Sequence, residues 1–393
     1  MPWKEKTVEE KRAEFIARVQ SKEASKSALC REYGISRVTG DKWLKRSEMG
    51  QPLSDQSRAP FHRPNRLSEE IEACIVAMRQ KEPALGAKKI QRMMKNEGWE
   101  SPPAVSTINA VLKRNGLITP QASRAAQHYT RFQKDAPNDM WQADFKGNFL
   151  LKDGTRCHPL SIIDDYSRFC LCADARKNEQ FLSTKESFIR AFQAFGLPRS
   201  VLCDNGTPWG SSQSTSITRF EVWLMELGVL TLHIRHHYPQ CQGKVERFNG
   251  SYKRERLAFY TPNDMADAQR CRMEYMDFYN NARPHEALNM DTPAQHYTPS
   301  QRQYSDRISP WEYESGGELR RVKSSGYLTF AGQGYYLSEG LGGKEVMLFP
   351  CADEDGVFEI VFREFVVAKL SLPHRTIRSR RVYLRYDDPR KKL

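Results

Sequence analysis

Residues 200–206 read Ser200-Val201-Leu202-Cys203-Asp204-Asn205-Gly206, and their reading decides the fold of the chain's centre. A short run of small and apolar residues ends in an acid, a turn-forming asparagine and a glycine that permits a tight exit. That is the pattern of a short buried strand. Working outward, residues 141–151, 158–165 and 168–174 are strand-like, and a helix follows with Phe181, Phe188, Ile189 and Phe192 as its buried stripe. On the other side lie a helix near 218–227, a strand at 229–234 and a helix from about Gly243. Three antiparallel strands, then helix-strand-helix-strand-helix, predict an α/β layer core over 139–300 with a mixed five-stranded sheet.

The layout is of the ribonuclease H type, and it gives three acids special positions. Asp144 lies within the first strand, in Trp141-Gln142-Ala143-Asp144-Phe145, and Asp204 ends the fourth. Glu246 lies in the first turns of the helix Gln242-Gly243-Lys244-Val245-Glu246-Arg247-Phe248-Asn249. First and fourth strands are neighbours in such a sheet, and the helix can lay Glu246 across their edge. Converging carboxylates repel, which raises their proton affinities, and hard divalent cations relieve the repulsion. Two ions about 3.5–4 Å apart would activate an attacking oxygen and stabilise a leaving one. On the same helix Val245, Phe248 and Tyr252 make the buried stripe, while Asn249 and Lys253 repeat the spacing from Glu246 and are expected to hold phosphate. Asp164 and Asp165 fit a turn between strands rather than the metal site. His236 and His237, before the last helix, suit a packing or turn role at least as well as catalysis.

The 393 residues suggest two to four domains, and 39% hydrophobic residues suffice for packed cores. A net charge of +13 favours polyphosphate partners, although a merely soluble basic protein carries such a charge too. Nine scattered cysteines form no disulfide framework, and Cys170 and Cys172 have no matching pair nearby, so reduced thiols are expected. The N-terminal Met1-Pro2-Trp3-Lys4 lacks an apolar signal core and no run reaches membrane-spanning length, so a soluble, cytoplasmic protein is expected.

Upstream, residues 1–50 read as a helix-turn-helix unit. Thr7 and Glu10 make a possible capping box before a helix bearing Val8, Phe15, Ile16 and Val19. Gly34 permits a turn, and Ser36 can cap a third helix. Trp43 and Leu44 are then expected in the core, and Thr39, Lys42 and Arg46 in a DNA major groove, though a plain helical hairpin fits as well. A linker at 51–66 precedes a second helix-turn-helix unit at 67–118, where Ser106, Thr107, Asn109 and Lys113 are the DNA-contacting candidates. Residues 119–138 form a polar connector. At 320–372, five short strands punctuated by glycines predict a small all-β barrel of SH3-like size. The tail, 373–393, holds eight Lys or Arg against two Asp and reads as a mobile arm that touches phosphate or as a solvated end.

At these residues the chain resembles the insertion-sequence transposases of the integrase-like DDE superfamily. The matching stretches are Trp141–Phe145, Ile163-Asp164-Asp165-Tyr166-Ser167-Arg168, Asp204-Asn205-Gly206, Tyr238-Pro239-Gln240 with Gly243–Asn249, and Tyr279-Asn280 with Arg283-Pro284-His285-Glu286-Ala287-Leu288 and Thr292-Pro293-Ala294. The resemblance implies Asp144, Asp204 and Glu246 as catalytic and metal-binding acids, with two Mg²⁺ or Mn²⁺ ions per active site. It implies double-stranded DNA as partner, both the element's terminal inverted repeats and a target. Nicking by water would be followed by attack of the freed 3′-hydroxyl, within a multimer that pairs two ends and involves no membrane. Two departures stand out. Asp204 and Glu246 are 42 positions apart, which suggests an enlarged loop near Gly210–Thr218. The first 60 residues hold Cys30 and no histidine, so no zinc fold is expected there. A transposase-derived, non-catalytic DNA-binding regulator and a ribonuclease H-like nuclease are the competing readings.

Overall fold

The computed structural model describes residues 7–55, 67–118, 133–210, 217–234, 242–378 and 382–385. His236, His237 and Tyr238-Pro239-Gln240 lie outside the described residues, as does most of the expected loop enlargement. The chain divides into two compact units, Met1–Ser68 and Glu69–Leu393.

In the first unit, α1 (Val8–Gln20), α2 (Lys26–Glu32) and α3 (Arg37–Glu48) enclose Phe15, Ile16, Leu29, Cys30 and Trp43. Each start is fixed by a side-chain cap: the reciprocal Thr7–Glu10 box, Ser25 and Ser36. Gly34, at φ +65°, makes the turn into α3. Val8 is exposed rather than part of the apolar stripe, because it sits in the first turn, beyond the reach of the core.

The second unit opens with α4 (Glu69–Lys81), α5 (Ala87–Asn96) and α6 (Val105–Arg114), packed around Ile75, Ile90, Met94, Ile108, Val111 and Leu112. The mixed sheet follows. Strand β1 (Trp141–Phe145) lies antiparallel to β3 (Arg156–Asp164), which pairs on its other side with β4 (Cys170–Arg176). Strands β5 (Ser200–Cys203) and β6 (Leu230–His233) add in parallel beyond β1. The expected single strand at 141–151 is interrupted after Phe145. Gly147, at φ +77°, breaks the ladder before β2 (Phe149–Leu150) resumes pairing with β3.

Strand alternation sorts the sheet's two faces. Trp141, Ala143, Leu160, Ile162, Val201 and Cys203 face α7 (Phe181–Phe195) and α8 (Arg219–Glu226), where Phe188, Phe192, Phe220 and Trp223 fill the core. The opposite face carries Ile163 against α9 (Gly243–Tyr252) and α10 (Met265–Asp277), through Val245, Phe248, Tyr252 and Tyr275. Asp144 shares this second face, directly across the ladder from Ser161. No described helix is long and apolar enough to cross a membrane.

The C-terminal part is all-β. A six-stranded antiparallel sheet runs through β7 (Glu318–Arg321), β10 (Glu345–Pro350), β11 (Val357–Phe362) and β12 (Phe365–Ser371), and a separate hairpin of β8 (Tyr327–Phe330) and β9 (Gln333–Tyr336) shares its core. That core also takes in Ile217, Val222 and Met225 from the neighbourhood of α8. Gly340 is the point of closest approach, where a Cβ would lie 2.3 Å from the Ile217 carbonyl oxygen. The expected mobile arm is corrected in part. Strands β13 (Thr376–Arg378) and β14 (Tyr383–Leu384) both pair with β12, and Ile377, Val382 and Leu384 pack on the apolar core.

Candidate active site

Asp144 points from β1 toward α9, where Asn249 Nδ2 donates to its Oδ2 at 3.0 Å. Burial raises its pKa to about 7, aided by the charge of Asp204 and less by Glu246 and Glu179, while the Asn249 bond opposes the rise. Asp204 leaves the end of β5, and its Oδ1 accepts from the Gly206 N–H at 3.0 Å. Burial raises its pKa too, against the Gly206 bond and the nearby His233, with a further push from Glu179. Glu246 stands on the exposed side of the first turn of α9, and partial desolvation raises it.

Asp144 and Asp204 therefore share one field at the edge between β1 and β5, and Glu246 stands at its rim. Among the described residues, no three His, Cys, Asp or Glu side chains are close enough to close around one ion. The donor chemistry fits a hard cation at the Asp144–Asp204 pair, whose mutual charge is relieved only by protons or by a cation.

Each acid rests on buried polar scaffolding. The Asp204 carbonyl oxygen meets His233 Nδ1 at 2.9 Å, and His233 Nε2 meets Glu221 Oε1 at 2.9 Å. Burial disfavours the charged ring, but these acceptors outweigh it and lift the His233 pKa above its ordinary value. The start of α9 is pinned by Asp165. Its Oδ1 accepts from Gln142 Nε2 at 2.7 Å, and its Oδ2 lies 2.6 Å from Lys244 Nζ. Asp164 serves the turn, accepting from the Ser167 N–H at 2.8 Å and its hydroxyl at 2.7 Å. Glu179, whose charge bears on both Asp144 and Asp204 and whose Oε1 lies 2.8 Å from His158 Nδ1, borders the site, and half-buried Lys146 follows β1; neither was singled out by the sequence. Lys146 is held below its usual pKa by burial first, then by Lys253 and Arg272. Its position two residues after Asp144 was the one clue available.

Two expected DNA contacts are corrected. Asn249 is 3% exposed, and its amide is spent on Asp144 and Ser161. Arg46 is half-buried. Its guanidinium lies 4.9 Å from the Trp43 ring centroid, and Nη1 donates to the Ser54 carbonyl at 3.2 Å, because a long apolar stem gains by covering an aromatic face. Thr39 is half-buried beside its capping partner Ser36, with the two hydroxyl oxygens 2.9 Å apart. Lys42, Ser106, Asn109, Lys113 and Lys253 are exposed, and Thr107 is half-buried. The exposed side of α3 also carries Arg37 and Lys45, which were not among the expected contacts.

Comparison with known proteins matches residues 134–239 and 227–293 to the integrase core domain, and residues 39–112 to a homeodomain-like domain. The chain is 24% identical over 246 residues to the insertion element IS407 uncharacterized 31.7 kDa protein of Burkholderia multivorans, covering 61% of this chain and 86% of that one. It is 27% identical over 161 residues to the insertion element IS476 uncharacterized 39.2 kDa protein of Xanthomonas euvesicatoria, covering 40% and 44%. Among solved structures, the HTLV-2 integrase catalytic core domain in complex with magnesium is similar at 19% identity with a TM-score of 0.31, covering 41% and 98%.

Proposed function

We infer that this chain, an insertion-sequence transposase built on an integrase core, cuts and rejoins DNA strands at the edge where Asp144 and Asp204 meet. The observation that carries the inference is the placement of Asp144 on β1 and of Asp204 at the end of its parallel neighbour β5, with Glu246 on the helix beside them. Asp144, Asp204 and Glu246 would hold divalent metal, Mg²⁺ or Mn²⁺, which when bound lowers the proton affinity of an attacking water and screens phosphate charge.

The chain's own residues supply the rest. Asn249 keeps one oxygen of Asp144 engaged, so the other is left toward the substrate side. The clamp of His233 and Glu221 fixes the main chain at Asp204. Lys146 and Lys253, two cations that repel one another until an anion lies between them, favour a phosphodiester in front of β1. Lys42 on α3 and Ser106, Asn109 and Lys113 on α6 are the residues proposed to contact the element's ends, with phosphate contacts dominating affinity. We propose the assembled form to be a homo-oligomer that pairs two such ends.

A precut, labelled element end incubated with target DNA and Mg²⁺ tests this reading. Joined products that vanish with Asp144→Asn are expected. Hydrolysis without joining would make the protein a nuclease, and no metal-dependent chemistry at all would leave only DNA binding.

A further inference from the structure

We propose that Arg272 and Ser161 are positioning residues for Asp144, acting through Asn249 as a hydrogen-bond relay that runs in one direction only. Arg272 lies on α10, 1% exposed, with its guanidinium 5.0 Å from the Tyr252 ring centroid. Its Nη2 donates to the Leu160 carbonyl at 2.9 Å and to Ser161 Oγ at 2.8 Å. No carboxylate bonds it among the described residues, and its Nε and Nη1 find no hydrogen-bond partner there. Burying a guanidinium without a counter-ion is costly, and filling the same space would need only an apolar side chain. What an apolar side chain lacks is the donor.

The direction follows from chemistry. A guanidinium donates and never accepts, so Ser161 Oγ must accept from it. The single hydroxyl proton of Ser161 is then left for Asn249 Oδ1, 2.7 Å away. With its oxygen taken, the Asn249 amide can turn only its NH₂ toward Asp144 Oδ2, at 3.0 Å. A flipped amide would set two oxygens against each other. The sheet makes the relay possible, because Ser161 sits opposite Asp144 in the β1–β3 register and Asn249 spans the pair from above. The relay thus fixes the side-chain rotamer of Asp144 by holding its Oδ2 toward α9.

This rests on Asp144 being a metal ligand, as proposed above, and the test separates the two. Mn²⁺ binding to the full chain is measured by calorimetry without DNA, alongside metal-free thermal unfolding. Ser161→Ala is expected to weaken Mn²⁺ binding about 10-fold, as loss of an outer hydrogen-bond partner does, at a temperature where metal-free unfolding shows the variant still folded. Asn249→Ala should weaken it at least as much, and the double variant no more than Asn249→Ala alone. Unchanged Mn²⁺ affinity in Ser161→Ala or Asn249→Ala, while Asp144→Asn loses binding, overturns the relay, as does additive loss in the double variant. If Asp144→Asn itself binds Mn²⁺ like the parent, the metal reading falls and the relay with it.

Discussion

Asp144 keeps its proton to about pH 7 because burial and the charge of Asp204 both oppose ionisation. In the unfolded chain an aspartate ionises near pH 4. The folded value is the higher one, so the folded state binds the proton more tightly, and metal-free stability should fall as pH rises from about 4 to 7. Asp144→Asn removes the charge while keeping an oxygen for Asn249. Its metal-free melting temperature should exceed the parent's at pH 8, and a lower one would contradict the assignment. Asp144 and Asp204 were legible in the sequence because each sits at a fixed place on a strand, where alternation decides the face. Asn249 and Arg46 were not. Helical spacing gives an angle around the axis, but not whether a neighbouring strand or a tryptophan lies over that angle. His233, Glu221 and Arg272 were invisible for a related reason, since each acts across elements that only the folded sheet brings together.

The helices α4, α5 and α6 are tied to the layers around the mixed sheet by charge rather than by apolar packing alone. Glu82, at the end of α4, takes both terminal nitrogens of Arg256 at 2.7 and 2.9 Å, and Arg92 on α5 meets Asp291 at 2.7 Å. Half-buried Lys89 is held down to about 8, by desolvation first and then by Arg283, with Glu255 opposing. Glu82→Gln should leave the half-buried Arg256 underpaired and cost about 2 kcal/mol. Faster amide exchange in α5 would report it, while unchanged exchange would mean that the pairs contribute nothing. The helices themselves were readable from their stripes. Their seating was not, because the charges that seat them look like ordinary solvated positions in the sequence. The same masking hid β13 and β14, whose apolar Ile377, Val382 and Leu384 lie among arginines.

At the scale of the whole chain, the net charge of +13 should make DNA binding strongly salt-dependent. If Lys42 and Lys45 each neutralise a phosphate, replacing both with alanine should flatten the slope of log affinity against log salt by about 2. Arg46→Ala should instead lower the unfolding midpoint of the first unit, since that guanidinium covers Trp43. The shared core of α8 and the C-terminal sheet has a practical outcome for anyone dissecting the protein. A fragment stopped before Glu318 would strip the cover from Ile217, Val222 and Met225. Such a truncation should clump in light scattering rather than stay dispersed, so the last fifth of the polypeptide works as a cover on greasy helix flanks.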